Sequence, residues 1–336
     1  MGPLARRRRR RVLGLVALAA AVLLATLVSI AFGDRAIPLP AIWHAIFTPS
    51  DTESDIIIGA LRMPRTLLGL GVGVALGVAG ALLQGHTRNP LADPGLLGVT
   101  QGAAFAVVLS ITVFGVSYVS GHVAFAFAGA LIASAIVFAL GSIGSGGATP
   151  VTLALAGATI SWLLLGLTSA MVLLDQRGME VYRFWRIGSL ARDEYFSAAT
   201  VLPFLIIGLL LALANTPGLN TLALGEDVAK GLGQRVRLTR FAGVGAVALL
   251  TGSAVAVCGP IAFIGLVVPH IARAITGADY RWLVPYAGLL GAVLLLVADV
   301  LGRVISADTF EVGIMLTVLG APVFIYLVRS TRLVRL

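Results

Sequence analysis

Apolar positions in this chain gather into long runs separated by brief polar stretches. A run of about 20 predominantly apolar residues is what a helix needs to cross the hydrocarbon core of a bilayer. The pattern predicts ten such spans, at 12–32, 66–86, 95–114, 119–141, 149–173, 196–214, 237–257, 259–274, 281–302 and 310–328. The eighth is short and holds Pro260 and Pro269. The expected fold class is therefore an all-α polytopic membrane protein with about ten transmembrane helices. Residues 6–11 are all arginine, and the apolar run behind them outlasts a signal-peptide core of about 7–15 residues. The run reads as a retained first helix, giving a basic N-terminus over 1–11 and one transmembrane domain over 12–336.

Composition agrees: 58% of the 336 residues are hydrophobic, 12% are charged, and the mean hydropathy is +1.00. The net charge of +9 does not point to nucleic acid, because the basic residues sit in short loops between apolar segments. With the N-terminus inside, sixteen of the 24 lysines and arginines fall on the cytoplasmic side, which supports ten spans with both termini inside. Asp34, Asp51, Glu53, Asp55, Asp175, Glu180, Asp193 and Glu194 then lie outside. Cys258 is the only cysteine, which excludes an intrachain disulfide and a cysteine-cluster metal site.

Several segments carry more detail. Residues 34–61 hold an interfacial helix with Trp43 near the headgroups. Gly69, Gly73, Gly77 and Ala81 recur every four residues and predict a face for close helix packing. The turn at 88–95 contains Asn89, Pro90, Asp93, Pro94 and Gly95 and cannot continue a helix, with Asp93 capping the next span. A second irregular stretch, 144–150, joins two spans on the same side. The segment 175–195 is amphipathic, with Tyr182, Phe184 and Trp185 among arginines, and predicts an external interfacial helix. The stretch 215–240 is the largest inward loop. Its Leu222, Leu224, Val228 and Leu232 suit two short helices hinged near Gly225 that offer a surface to a partner.

Chemistry is scarce. A phosphate-binding P-loop requires Gly-Lys-Ser/Thr, and the only lysine, Lys230, lies between Ala229 and Gly231, so the chain does not hydrolyse ATP by that route. Asp299 is the one clear intramembrane acid, with Arg303 four residues on to pair with it. His44, His86, His122 and His270 are scattered and form no metal-ligand spacing. Coupling to a separate ATPase through 215–236 is the economical reading. An ion-coupled secondary carrier and a non-transporting scaffold are the rivals.

Four stretches in order, RMPRTLLGLGVGVALGVAGALLQGHTRNPLADPGLLGVTQGA, LALGEDVAKGLG, GPIAFIGLVVPHIAR and DVLGRVISADTFEVGIMLTVLGAPVFIYLV, closely resemble permease subunits of ABC importers for iron–siderophores, haem and cobalamin, the FecCD-type family. The resemblance implies the type II importer permease fold and a second permease chain, identical or sister, around a central path. It also implies two cytoplasmic ATPases, which use ATP and Mg, and an external binding protein that delivers the cargo; the chain itself binds no cofactor. A ferric siderophore chelate is the implied cargo, with haem or cobalamin as the alternative, in a bacterial cytoplasmic membrane. Arg62, Arg65 and Arg303 match the family's docking arginines for the binding protein. Asn89 and Leu91, with Thr149, Pro150 and Val151, match its cytoplasmic gate. Gly225, Glu226, Asp227, Ala229 and Gly231 match the loop that couples to the ATPase. At 306–313 the chain departs from the family, lacking a proline and carrying Phe310 and Glu311.

Overall fold

The computed structural model describes residues 3–33, 35–50, 52–143, 149–191, 195–306 and 310–329, and all regular structure among them is helical. In the first third of the chain, α1 (Pro3–Ala31) and α2 (Leu39–Phe47) precede one continuous helix made of α3 (Glu53–Ile56), a π-helical turn (Ile57–Arg62) and α4 (Met63–Thr87). A 3-10 turn (Pro94–Leu97) leads to α5 (Val99–Thr112), α6 (Val119–Gly141), α7 (Pro150–Leu174) and α8 (Gln176–Ile187). The last third holds α9 (Tyr195–Leu222), α10 (Glu226–Gly231), α11 (Val236–Cys258), α12 (Ile264–Thr276), α13 (Tyr280–Ser306) and α14 (Val312–Arg329). Seven helical stretches are long and apolar enough to cross a membrane, and shorter apolar helices occupy Val99–Thr112, Ile264–Thr276 and Val312–Tyr326. Together these ten helices fall on the ten predicted segments in order, seven of them at spanning length among the described residues.

The bundle is built around α4, whose residues from Ala75 to Gln84 are all buried. The predicted glycine row faces α13. A Cβ on Gly73 would stand 2.6 Å from the Ala292 Cα, one on Gly77 would overlap the Ala287 carbonyl, and Gly69 meets the Leu296 side chain. Gly80, off that row, lies against the backbone of Gly265 at the start of α12. Between helices surrounded by lipid there is little hydrophobic driving force, so attraction comes from dispersion, which favours close contact through small residues.

Three spans differ from expectation, each for a local reason. The third begins at Val99, because Asp93 accepts from the Gly95 N–H and caps only a 3-10 turn, which Gly98 ends at φ 73°. The eighth is a 13-residue helix from Ile264, preceded by non-helical backbone at 259–263, and is too short to span by itself. The sixth runs past Asn215 to Leu222 despite Pro217. Proline cannot donate to the Leu213 carbonyl, and the Thr216 hydroxyl does so instead at 2.8 Å. So one short helix, α10, follows Gly225, and the other predicted one is the end of α9. Trp185 of the amphipathic α8 is buried, whereas Trp43 of α2 is exposed.

Gly77→Val should destabilise the solubilised protein by about 1–3 kcal/mol, because a backbone carbonyl opposes the new side chain. Gly71→Ala meets only Leu205 Cδ1, at 3.9 Å, and should be neutral or slightly stabilising through helix propensity. Thermal unfolding followed by circular dichroism separates the two; equal melting of both variants would contradict the packing argument.

Candidate functional site

Hydrogen bonds assign the chain to two ends. At one end, Arg11 donates to the Thr276 carbonyl at 2.6 Å, Arg88 to the Leu222 carbonyl at 2.7 Å, and Asn220 to Asp279 at 2.8 Å. At the other, α1 finishes beside the start of α4 and the last turns of α13. The last turn of α1 contains no basic residue, so its free carbonyls take donors from elsewhere in the chain. Arg62 donates to the Ile30 and Ala31 carbonyls at 2.8 and 2.9 Å and to the Arg35 carbonyl. Arg303 donates to the Ser29 carbonyl and hydroxyl at 3.1 and 3.0 Å, and that hydroxyl meets Thr66 at 2.8 Å.

Asp299 is the hub of this end. Its carboxylate is wholly buried and lies 3.1 Å from Arg303 Nε, the pairing expected along the helix. It also receives Arg65, whose Nε and Nη2 approach at 3.0 and 2.7 Å. Of the three arginines predicted for docking, Arg62 and Arg303 are each 7% exposed and Arg65 keeps 17% of its side chain exposed. The three are gathered at one end, along the wall of a cavity of about 620 Å3.

At the opposite end, α10 forms a knob on the end of α9. Gly225, at φ 117°, makes the sharp entry, and Ala229 packs with Leu222 and Val236. Ala229 is therefore turned into the protein, while Leu224, Val228 and Leu232 are exposed. Glu226 joins the knob to α11 by a 2.7 Å bond from Arg240 and holds Lys230 at 3.1 Å. The bond with Lys230, helped by the Arg240 charge, holds the Glu226 carboxyl below the ordinary carboxylate range. Asp227 lies in the first turn of α10, and a Cβ at Gly231 would enter open space.

The expected gate segments sit on well-defined caps. Arg88 adopts a left-handed conformation, and Asn89 accepts from the Leu91 N–H at 2.9 Å, which fixes the turn after α4. Thr149 and Thr152 form a reciprocal capping box with Pro150 in the first helical turn, and Val151 is exposed. Thr152 also donates to the Gly141 carbonyl, closing the end of α6 onto α7. The 3-10 turn beyond Leu91 lodges its Leu96 carbonyl on Gly157 of α7, the helix that Thr149 caps. Residues 144–148 lie outside the described residues.

The FecCD transport family profile matches residues 21–330. The chain belongs to the FecCD transport family. It is 46% identical over 309 residues to the ferric enterobactin transport system permease protein FepD of Escherichia coli (strain K12), covering 92% of each chain. It is 41% identical over 312 residues to the iron(3+)-hydroxamate import system permease protein FhuB of Bacillus subtilis (strain 168), covering 92% of this chain and 81% of FhuB. A solved inward-facing structure of an ABC transporter assigned to the metal-chelate type superposes with a TM-score of 0.81 at 28% identity, covering 94% of this chain and 98% of that one.

In this FecCD protein, some polar links were not readable from sequence. Arg65 and Asp299 are 234 residues apart, and their pairing depends on the close approach of α4 to α13. Gln84 donates to the Leu266 carbonyl and accepts from Arg273, joining α4 to α12. Glu311, noted as a departure from the family, accepts from Ser189 at 2.6 Å and ties the segment after α8 to the start of α14. Among the described residues, no cluster of three or more His, Cys, Asp or Glu is fit to hold a metal.

Asp299→Asn should cost about 3–5 kcal/mol of stability, since it leaves two largely buried guanidiniums without a carboxylate, and denaturant titration in detergent measures it. At the other end, Glu226 has a lowered pKa, so its tie to α11 is complete above the ordinary carboxylate value and is lost as pH falls through the lowered one. Limited proteolysis of 222–240 should accelerate over that acidic range, and Glu226→Gln should remove the pH step.

Proposed function

We propose that the chain is the permease subunit of an ATP-driven importer that carries a ferric siderophore chelate across the cytoplasmic membrane. Its termini and α10 face the cytoplasm, and the arginine end faces out. The observation that carries the reading is the α10 knob: three large apolar side chains, Leu224, Val228 and Leu232, stand exposed on a segment braced by Glu226 and Arg240. An exposed apolar cluster on a braced helix is what a partner's groove recognises. The chain lacks a P-loop lysine, so the partner is the ATPase, two copies per complex, with ATP and Mg bound there. Siderophore cargo is supported by the names of the relatives FepD and FhuB.

In this reading the external binding protein docks through acidic groups at the arginine end. Arg65 offers its remaining guanidinium edge, and Arg62 and Arg303 hold the end of α1 beneath it. A second permease chain, the same or a sister, completes the path. Closure of the ATPases presses on α10, and α9 transmits the movement because it is one helix from the knob to the far side. The turns at Asn89–Leu91 and Thr149–Val151 close the cytoplasmic end while the outer end is open, as alternating access requires.

Val228→Asp with Leu232→Asp tests this directly, because both side chains are exposed and neither holds the fold. Loss of about 1.4 kcal/mol of contact is tenfold in affinity, so co-purified ATPase should fall at least about tenfold and uptake with it. Undiminished, proton-gradient-dependent uptake in the double variant would instead identify an ion-coupled carrier.

A further inference from the structure

The cavity beside Arg65 has apolar walls that the cycle just described does not use. Its volume is about 620 Å3, and its walls include Leu61, Leu68 and Val72 of the helix 53–87, Leu202 and Leu205 of α9, and Val257 of α11. Close-packed interiors do not keep a void of that size empty, and aliphatic walls offer water few partners. Leu61, Leu67 and Leu202 border it and are more than half exposed, so it opens towards apolar surroundings.

Its polar groups are placed at one end and on one wall. Arg65 and Arg303 both pair with the Asp299 carboxylate, Arg62 donates to the carbonyls at the end of α1, and Arg35 is matched by Glu53 at 2.9 Å. Arg65 spends Nε and Nη2 on Asp299, and Nη1 remains for a ligand. On the α11 wall, the Ser253 hydroxyl is buried and has no partner among the described residues. From Arg62 to Val72 the helix rises about 15 Å, half of a hydrocarbon core of about 30 Å. The cavity is thus about one leaflet deep, with its cations at the surface end.

We propose that this cavity binds an anionic glycerolipid of the surrounding leaflet. The phosphate sits on Arg65 Nη1, one acyl chain fills the space between α4 and α9, and the Ser253 hydroxyl donates to a carbonyl of the bound molecule. The chemistry, an anionic head on an apolar body, is shared with an anionic chelate cargo, and the depth and the apolar border select the lipid. The lipid phosphate and the docking reading use the same free edge of Arg65, so a bound lipid would leave that edge only when the binding protein docks; the lipid assignment itself is measured without ATPase, binding protein or uptake.

The test is native mass spectrometry of the delipidated full chain in detergent, titrated with phosphatidylglycerol or phosphatidylcholine. Wild type should prefer phosphatidylglycerol by about tenfold, because both lipids carry the phosphate but phosphatidylcholine offsets it with its own cation, and Arg65→Gln should erase most of that preference. Gly71→Leu supplies a second variant that preserves the packing: its Cβ would stand 3.9 Å from Leu205 Cδ1, so the side chain enters the cavity without striking backbone. It should weaken both lipids by about tenfold, with melting unchanged. Equal affinity for the two lipids in wild type, or undiminished binding by Gly71→Leu, would overturn the proposal. In a third arm, displacement of phosphatidylglycerol by micromolar ferric tris-catecholate would assign the cavity to cargo and overturn the lipid; no displacement upholds it.

Discussion

The backbone contact between α4 and α13 is the constraint on which the other features depend. Gly73 and Gly77 admit the Ala292 and Ala287 backbone at distances no side chain would permit. Because lipid tails are as apolar as the helix surfaces, nothing squeezes these helices together, and only dense contact favours association over lipid. Once α4 is seated, both of its ends are fixed. Arg65 arrives at Asp299 on one side, and the turn of Arg88 and Asn89 is held beside the end of α9 on the other. One helix therefore sets the relative position of the charged cluster and the turn that the proposed mechanism uses at opposite faces of the membrane.

The charged cluster follows from the same geometry. Asp299 pairs with Arg65 and Arg303 while Arg62 donates to backbone carbonyls, and buried guanidiniums need hydrogen-bond acceptors beyond that carboxylate. The end of α1 supplies them. Its last carbonyls carry the negative end of the helix dipole, and Arg62 and Arg303 satisfy the Ser29, Ile30 and Ala31 oxygens that have no partner inside the helix. Helix capping and ion pairing are one network here: removing Asp299 would loosen α1 as well as α13. Two of the three arginines thus have a structural role whatever meets them from outside, whereas Arg65 spends only part of its guanidinium on the fold.

Much of this was legible in the sequence because membrane burial leaves a strong signal. The ten apolar runs gave ten helices, the glycine row gave the contact face of α4, and the spacing of Asp299 and Arg303 gave their pairing. What was not legible depends on tertiary position. Hydropathy alone cannot tell a spanning helix from a short one preceded by irregular backbone, so the starts of α5 and α12 were set too early. Pro217 argued for an end to α9, and the Thr216 hydroxyl that replaces its missing donor could be recognised only in place. Arg65 chose between Asp299 and solvent according to the packing of a helix 234 residues away. Ala229 and Val228 are neighbours in a motif, yet one packs inward and the other faces out, a distinction fixed by the turn at Gly225.

The two short helices meet where the bundle has least regular backbone. Pro94 at the head of the 3-10 turn lies against Gly265 at the head of α12, and Gly80 of α4 abuts the same residue. Broken helices leave carbonyls and amides that hydrocarbon cannot satisfy, so such breaks persist only inside protein. Gln84 fills that need by donating to Leu266 while its oxygen holds Arg273. The α4–α13 contact is different: at Gly73 and Gly77 backbone meets backbone, and sliding would drive Cα into carbonyl. Movement in a transport cycle is therefore better accommodated around the breaks and by sparsely covered helices. Among the long helices, α7 buries little of its surface within the chain, and it carries Thr149, Pro150 and Val151 at its start. A rigid pair of helices at the centre and a lightly held helix bearing the proposed gate is a division of mechanical roles that the packing itself imposes.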